Sequence, residues 1–373
     1  MAENKLRIGI IGTGFGRYVQ VPGFKALDGV EVVGIASRNH ENAVRAAAEY
    51  DIAESYSHWK DLVDNESIDA VSVTTPPNTH EEIVLEIIKR GKSVLCEKPL
   101  TTSAIQAHRI LAEAEDKSVV HMVDFEFREI PSWKMAKSII NSGELGEIRH
   151  VNINWSVDSW SNPSRPWSWR SDLSSGGGAL GALGSHSLDC VEWFVRPVES
   201  LCARLTTNIS SRPDSSGLHR KVDAEDHCEI LMELVGGTPV NALISVVASK
   251  SSGHRIEFHG EKKMLLLKQD ELGDYGNGFS LWVNEEIGGN LKEVVGFDGH
   301  YRKHKFSDGR IMPFLSLAGR FVDCCLGKTA KARPSFFEGY RSRLLMDAAY
   351  KSSRERRWIR ISEIDLFSGN NLP

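Results

Sequence analysis

No C-x-x-C pair occurs in this chain, and no histidine stands at a spacing that would complete a zinc site with its six scattered cysteines, Cys96, Cys190, Cys202, Cys228, Cys324 and Cys325. That scarcity excludes a disulfide scaffold and predicts reduced thiols in a cytoplasmic compartment, with no metal. Long apolar runs are also missing. None approaches the roughly 20 residues that span a bilayer, and residues 1–5 have no apolar core of a signal peptide, so neither anchoring nor export is expected. Basic charge is not in surplus: a net charge of -5 argues against a nucleic-acid partner. The one basic cluster, Arg354, Arg356, Arg357 and Arg360, reads as a solvated face at a helix end. There is no repeat, coiled coil or low-complexity tract. What remains is ordinary soluble composition over 373 residues, enough for two domains with substantial cores.

The most informative stretch is at the start. Leu6, Ile8, Ile10 and Ile11 make an apolar run of strand length that stops at Gly12-Thr13-Gly14-Phe15-Gly16-Arg17. A strand, a glycine-rich turn and a helix in that order are the beginning of a dinucleotide site. Gly12 would allow the tight turn, and Gly14 the close approach of a pyrophosphate to backbone N–H groups. The ideal spacing has a third glycine at 17, where this chain has Arg17, with Gly16 one place early. Residues 30–36 read as the second strand, ending in Ser37-Arg38. A carboxylate there would bind the ribose 2'-hydroxyl, whereas an arginine accommodates a 2'-phosphate, so NADP is favoured over NAD. The alternative for Arg38 is stacking on the adenine or simple exposure.

Strands and helices then alternate: a helix over 41–50 capped by Asn39 with Val44, Ala47 and Ala48 inward, a strand over 69–75, a helix over 80–90 with Ile83, Val84, Ile87 and Ile88 inward, a strand over 93–96, a helix over 103–116 and a strand over 119–125. This predicts a Rossmann-type doubly wound parallel sheet. Ligands of such sheets lie outside the carboxyl ends of strands, which selects Thr75, Pro76, Asn78 and His80, then Glu97-Lys98-Pro99. Partly buried beside a nucleotide, Lys98 would serve as acid or base; otherwise it is a surface lysine.

Taken together, Gly12 to Gly16, Ser37-Arg38, Glu97-Lys98-Pro99 and Gly176 to Asp189 resemble the Gfo/Idh/MocA family of oxidoreductases, and the resemblance covers nearly the whole chain. It implies a Rossmann domain over residues 1–126 and a C-terminal α/β domain over 127–373 whose open, largely antiparallel sheet walls the substrate site and forms oligomer contacts. It implies NADP or NAD as cofactor, a sugar, polyol or cyclitol as substrate, and a homo-oligomer, dimer or tetramer. Lys98 matches the lysine of the family's E-K-P motif, Glu97 its neighbouring carboxylate and His186 the histidine of the second motif. One departure stands out: where the family commonly has an aspartate four residues before that histidine, this chain has Ala182. Asp189, one turn beyond His186, is placed for structural support. His186 itself would otherwise only satisfy backbone groups.

In the second domain, residues 148–155 alternate as a strand should. Four of the nine tryptophans then fall between 155 and 170 with Arg165 and Arg170. Sugar rings offer apolar faces to aromatic platforms, so Trp169 and Arg170 are the candidates for substrate, and the other rings for core or interface. Arg128 is placed to touch substrate or tie domains together. Residues 210–221 read as an exposed loop, 225–234, 240–249, 255–260 and 264–268 as strands, and 270–305 as loops and short strands. The leading expectation is an NAD(P)-dependent dehydrogenase, with a catalytically reduced cofactor-binding regulator or sensor as the alternative.

Overall fold

The computed structural model describes residues 5–270, 278–295, 306, 308–330 and 332–366. The chain forms two compact units, Met1–Glu129 with His304–Tyr340, and Ile130–Lys303 with Arg341–Pro373. Its first crossing falls close to the expected change of domain at 126/127. Residues 304–340 cluster with the first unit in this division, whereas the expected second domain runs over 127–373.

In the first unit, β1 (Leu6–Ile11), β2 (Val30–Ala36), β3 (Glu54–Tyr56), β4 (Ala70–Val73), β5 (Ser93–Cys96) and β6 (His121–Val123) form one sheet in the order β3-β2-β1-β4-β5-β6. Every pairing in it is parallel. Ile8, Ile10, Val71, Val73, Val94 and Leu95 are buried because helices cover both faces, so these strands read as continuous apolar runs. The chain reverses its order of travel at β1 and β4, the place where such sheets bind ligands.

The helices are α1 (Val21–Lys25), α2 (His40–Tyr50), α3 (Trp59–Asp64), α4 (His80–Lys89) and α5 (Ala104–Asp116). Asn39 caps α2 as expected, its side chain accepting from the Glu41 N–H. Its inward face, however, is Ala43 and Ala46, and Val44 is exposed. An alanine-rich helix gives periodicity little bulk contrast to read, and the small side chains take the sheet side.

The second unit holds α6 (Pro131–Asn141), β7 (Ile148–Ser156), α7 (Ser185–Phe194), β8 (Val198–Thr206), a small hairpin of β9 (Ser211–Pro213) and β10 (His219–Lys221), then β11 (His227–Leu234), β12 (Pro239–Ser245), β13 (Gly253–Gly260), β14 (Met264–Gln269), β15 (Ser280–Asn284) and β16 (Leu291–Val294). The chain continues through α8 (Ile311–Cys325) and α9 (Phe336–Glu355) to β17 (Ile359–Arg360). Nine strands form one sheet, β16-β15-β14-β13-β7-β12-β11-β8-β17, in which the β12–β7 pairing is parallel and the rest are antiparallel. One face is covered: Cys228, Ile230, Met232 and Leu234 of β11 point inward while Glu229, Leu231 and Glu233 point out. The core centres on Trp133 of α6 and Phe194 of α7, with ring centroids 5.5 Å apart.

α8 explains why residues 304–340 cluster with the first unit. Ile311, Phe314, Leu317, Ala318, Phe321 and Val322 recur at helical spacing and join the core of Ile8, Ile10, Val21, Phe24 and Ile35 in the first unit. Phe314 meets Phe24 edge to face at 5.2 Å. Helical spacing announces an amphipathic helix but not which sheet it will cover. The expected loop over 210–221 is instead the β9–β10 hairpin. Within 270–305, expected as loops and short strands, β15 and β16 are short strands, and residues 271–277 and 296–305 lie outside the described residues.

Candidate functional site

In the first unit the glycine-rich turn has three distinct environments. Gly12 has φ +115°, and a Cβ there would lie 2.4 Å from Thr74 Oγ1 and 2.9 Å from its carbonyl. Only glycine permits this crossing of β1 over the end of β4. A Cβ on Gly14 would meet nothing within 4 Å, so the backbone there is open to an approaching group. Gly16 is tight again, its missing Cβ 2.7 Å from Thr74 Oγ1 and 3.0 Å from Ile10. Close helix–strand packing, the task of the third glycine, is thus done at 16. Arg17 is therefore free of that task, and its guanidinium is paired with Glu49, Nε lying 2.7 Å from the carboxylate. Phe15 turns its ring toward Arg310, whose guanidinium carbon is 5.4 Å from the ring centre.

The turn leads into five residues wound with an i to i+5 hydrogen bond, Val21 N–H donating to the Gly16 carbonyl, before Pro22 opens α1. Single π-turns of this kind mark functional sites. Thr13 Oγ1 donates to Ser37 Oγ at 3.2 Å, which fastens the turn to the end of β2, and Arg38 next to it is exposed.

The π-turn also places Gln20, which is fully buried. Its amide donates to Glu97 at 3.2 Å and to Asp124 at 3.1 Å, and its oxygen accepts from Ser72. Glu97, Asp124 and Glu126 therefore stand together at the carboxyl ends of β5 and β6. Burial pushes all three carboxyls upward, Glu126 to about 8, and for Asp124 the charges of Glu97 and Glu126 push further. Asp124 Oδ1 and Glu126 Oε2 are buried without a hydrogen-bond partner. An oxygen facing a second carboxyl finds a partner only if one acid keeps its proton, so Glu97 and Asp124 share one. Lys98, half-buried, donates its backbone N–H to Glu97 Oε2 at 3.2 Å, and its positive charge opposes the upward shift of both Glu97 and Glu126.

Of the residues expected after β4, Asn78 is exposed and Thr75 accepts from Thr79 Oγ1 at 2.6 Å. Thr79 also donates to the Pro76 carbonyl at 2.8 Å. His80 opens α4 behind them. It is fully buried, with Nε2 2.7 Å from the Thr75 carbonyl and Nδ1 3.1 Å from the Leu100 carbonyl, so its ring lies between the two segments flanking the site and its one N–H donates to either carbonyl according to tautomer. Arg128 pairs with Glu338 at 3.8 Å within the same unit.

In the second unit, Trp155 is core, stacked on His254 with centroids 4.0 Å apart. Three other rings each carry a guanidinium: Arg165 over Trp160, Arg170 over Trp169 and Arg220 over Trp167. The Trp169-Arg170 backbone seats the second glycine motif, since a Cβ on Gly177 would lie 2.5 Å from the Arg170 carbonyl. Another π-turn, Leu180–Gly184, carries Ala182 and runs into α7. His186, in the first turn of α7, is buried beside Trp155 with ring centroids 6.2 Å apart. Asp189 is buried one turn further on.

The sequence reading missed Gln20, Ser72, Asp124, Glu126, Glu225 and Tyr350. Asp124 and Glu126 had a usable signal, two acids straddling Phe125 at a strand's carboxyl end. Gln20 had none, because its inward aim depends on the π-turn. Among the described residues no group of three or more His, Cys, Asp or Glu could hold a metal, and no helix is long and apolar enough to cross a membrane. The cysteines are free thiols.

A first strand feeding an open glycine turn, in a six-stranded parallel sheet of this order, defines a dinucleotide-binding Rossmann unit. The oxidoreductase family with an NAD-binding Rossmann fold matches residues 6–125, and its C-terminal alpha/beta domain matches residues 137–361. The chain belongs to the Gfo/Idh/MocA family of oxidoreductases. It is 33% identical over 96% of its length to an uncharacterized oxidoreductase of Synechocystis sp., of which 97% is covered. It is 27% identical to the levoglucosan dehydrogenase of Pseudarthrobacter phenanthrenivorans, over 96% of this chain and 99% of that protein. A solved levoglucosan dehydrogenase in complex with NADH and levoglucosan superposes with a TM-score of 0.86 at 25% identity, covering 95% and 99% of the two chains.

Proposed function

We propose that the protein is a dehydrogenase of a sugar, polyol or cyclitol hydroxyl, with Lys98 managing the proton and His186 orienting or sharing that task. The observation that carries this is the open backbone at Gly14 between two tightly packed glycines, joined through Gln20 to the Glu97-Lys98 segment. A diphosphate fits a turn where a Cβ would find space and backbone N–H groups are exposed. Thr13 and Ser37 fix the end of β2 toward the adenosine, and Arg38, with no carboxylate at 37 or 38, favours NADP over NAD. A nicotinamide cofactor, when bound, supplies the hydride donor or acceptor.

The protein's own share is the proton. Oxidation of a carbinol releases one from the hydroxyl, and Lys98 in its neutral form accepts it; reduction runs the same transfer backwards. Glu97 is held by Gln20 and shares a proton with Asp124, so one negative charge rather than two stands beside Lys98. Turnover is preferred to a sensor role because Lys98 and His186 are both retained, while Ala182 in place of the family's aspartate is the one feature that favours the sensor. The reduced thiols suit a cytoplasmic setting, and a homo-oligomer built through the open sheet face is part of the same proposal.

The test is to mix the protein with NADP or NAD and a panel of sugars and cyclitols and follow nicotinamide absorbance. Turnover of a panel member supports the reading. Tight cofactor binding with no turnover anywhere, together with altered affinity for a partner protein, would install the sensor instead.

A further inference from the structure

The second glycine motif depends on a carboxylate that comes from elsewhere in the chain. Glu225, buried just before β11, accepts the Leu180 N–H at 2.9 Å on Oε1. Tyr350 of α9 directs its hydroxyl at the same carboxylate, 3.2 Å from Oε1 and 3.1 Å from Oε2. The Glu225 backbone carbonyl accepts the Ala179 N–H at 2.8 Å. Gly178, with φ +102°, is glycine because a Cβ would lie 2.2 Å from Glu225 Oε1. One residue therefore holds the entrance of the π-turn by main chain and side chain, and that turn delivers His186.

We propose that Glu225 is a positioning residue whose ionised carboxylate, held by Leu180 and Tyr350, seats the π-turn that aims His186, so that protonating it loosens the seat. This rests on the reading of His186 as a functional residue. Ionised, the carboxylate accepts both the Leu180 N–H and the Tyr350 O–H. Protonated, it must donate a hydrogen of its own, and the nearest acceptor is the Tyr350 oxygen, whose hydroxyl then has to turn away. Burial raises this carboxyl to about 7, with the Leu180 and Tyr350 hydrogen bonds and the Arg343 charge opposing the rise. The charged and titratable groups facing it are Tyr350 and Arg343 from α9, Cys228 from β11 and its neighbour Asp226. Arg343 is engaged by Asp347 at 3.0 Å, and Asp226 is occupied by the Asn208 and Ile209 N–H groups. The thiol and the phenol are both pushed upward, leaving Glu225 as the member of the set that changes charge near neutrality.

The experiment follows the Leu180 amide and His186 ring resonances by NMR from pH 5.5 to 8.5 in the wild type, Glu225→Gln, Glu225→Leu and Tyr350→Phe. The Leu180 amide should titrate near pH 7 in the wild type and stop doing so in Glu225→Gln, which keeps an acceptor without the charge. Glu225→Leu should lose protection of that amide from hydrogen exchange by at least about tenfold, the loss of one buried hydrogen bond. If Glu225→Leu does not fold, Tyr350→Phe stands in for it and should move the Leu180 midpoint upward, because the ionised form loses a donor. With a turned-over substrate in hand, Glu225→Gln should lower kcat about tenfold, leave cofactor affinity unchanged and remove an ionisation near 7 from the pH profile. A Leu180 amide that is flat across this range, or one that still titrates in Glu225→Gln, overturns the proposal whatever His186 does. A titrating amide with an unmoved His186 ring and unmoved kcat overturns its link to His186 and leaves the dehydrogenase reading standing.

Discussion

The two glycine-rich segments solve the same steric problem to opposite ends. Each enters a helix through a π-turn, Gly16–Gln20 in the first unit and Leu180–Gly184 in the second. In the second, the space that glycine leaves is filled by the protein itself: the Arg170 carbonyl at Gly177 and the Glu225 carboxylate at Gly178. In the first, Gly12 and Gly16 are filled by Thr74, but Gly14 between them is left open. A glycine kept where nothing of the chain needs it is kept for something else. The contrast separates a turn packed throughout by its own chain from one with room at its middle glycine for the dinucleotide proposed above, a distinction spacing alone does not make.

The largest effect should follow from Gly178→Ala, which forces a Cβ against a buried carboxylate at positive φ. It should cost about 2–4 kcal/mol in denaturant unfolding, combining overpacking with backbone strain. Gly14→Ala should leave stability within about 0.5 kcal/mol of the wild type while weakening the dinucleotide by at least about tenfold in a binding titration. Equal destabilisation by the two substitutions would erase the contrast.

The buried acids sharpen it further. Glu225 is surrounded by donors, whereas Glu126 faces Glu97 and Lys98 with one oxygen unpaired. A carboxyl with a raised folded-state value binds its proton more tightly in the native state. Its contribution is complete below its ordinary value of 4.5 and is lost as pH rises through about 8. Glu126→Gln should therefore match the wild type at pH 4 and exceed it by more than about 1 kcal/mol at pH 9, as read from unfolding midpoints at the two pH values. A variant less stable than the wild type at pH 9 would mean that the charge of Glu126 is compensated.

Much of this was legible beforehand. The first sheet could be read from its alternating segments, because parallel strands buried on both faces are continuous apolar runs, and α4 shows its expected inward side chains Ile83, Val84, Ile87 and Ile88. The return of α8 to the first unit was not legible, since a stripe of apolar residues does not state its partner. Nor were the roles of Gln20, whose aim is set by a π-turn that shifts side chains off the 3.6-residue period, and of Glu225, which lies in irregular chain before β11 and meets residues far from it in sequence. His80 was selected by its position after β4, but its two ring nitrogens are turned toward backbone carbonyls.

The smallest effect concerns Arg38. Exposed and adjacent to the Thr13–Ser37 contact, it should supply one charge-assisted contact to a 2'-phosphate, so Arg38→Ala should weaken NADP by about tenfold and NAD by less than about twofold in parallel titrations. Equal weakening of both would remove Arg38 from cofactor choice.

If the open glycine turn and the buried acid shell present Lys98 to a substrate proton, losing its amine should separate cofactor binding from turnover. The most direct measurement is Lys98→Ala, assayed for dinucleotide affinity and for turnover of a substrate found with the wild type. Affinity should stay within about threefold while kcat falls by about 10² to 10⁴, the range for losing a positioned acid or base. A variant that turns over at the wild-type rate, or one that loses the cofactor and kcat in equal measure, would remove Lys98 from the proton transfer.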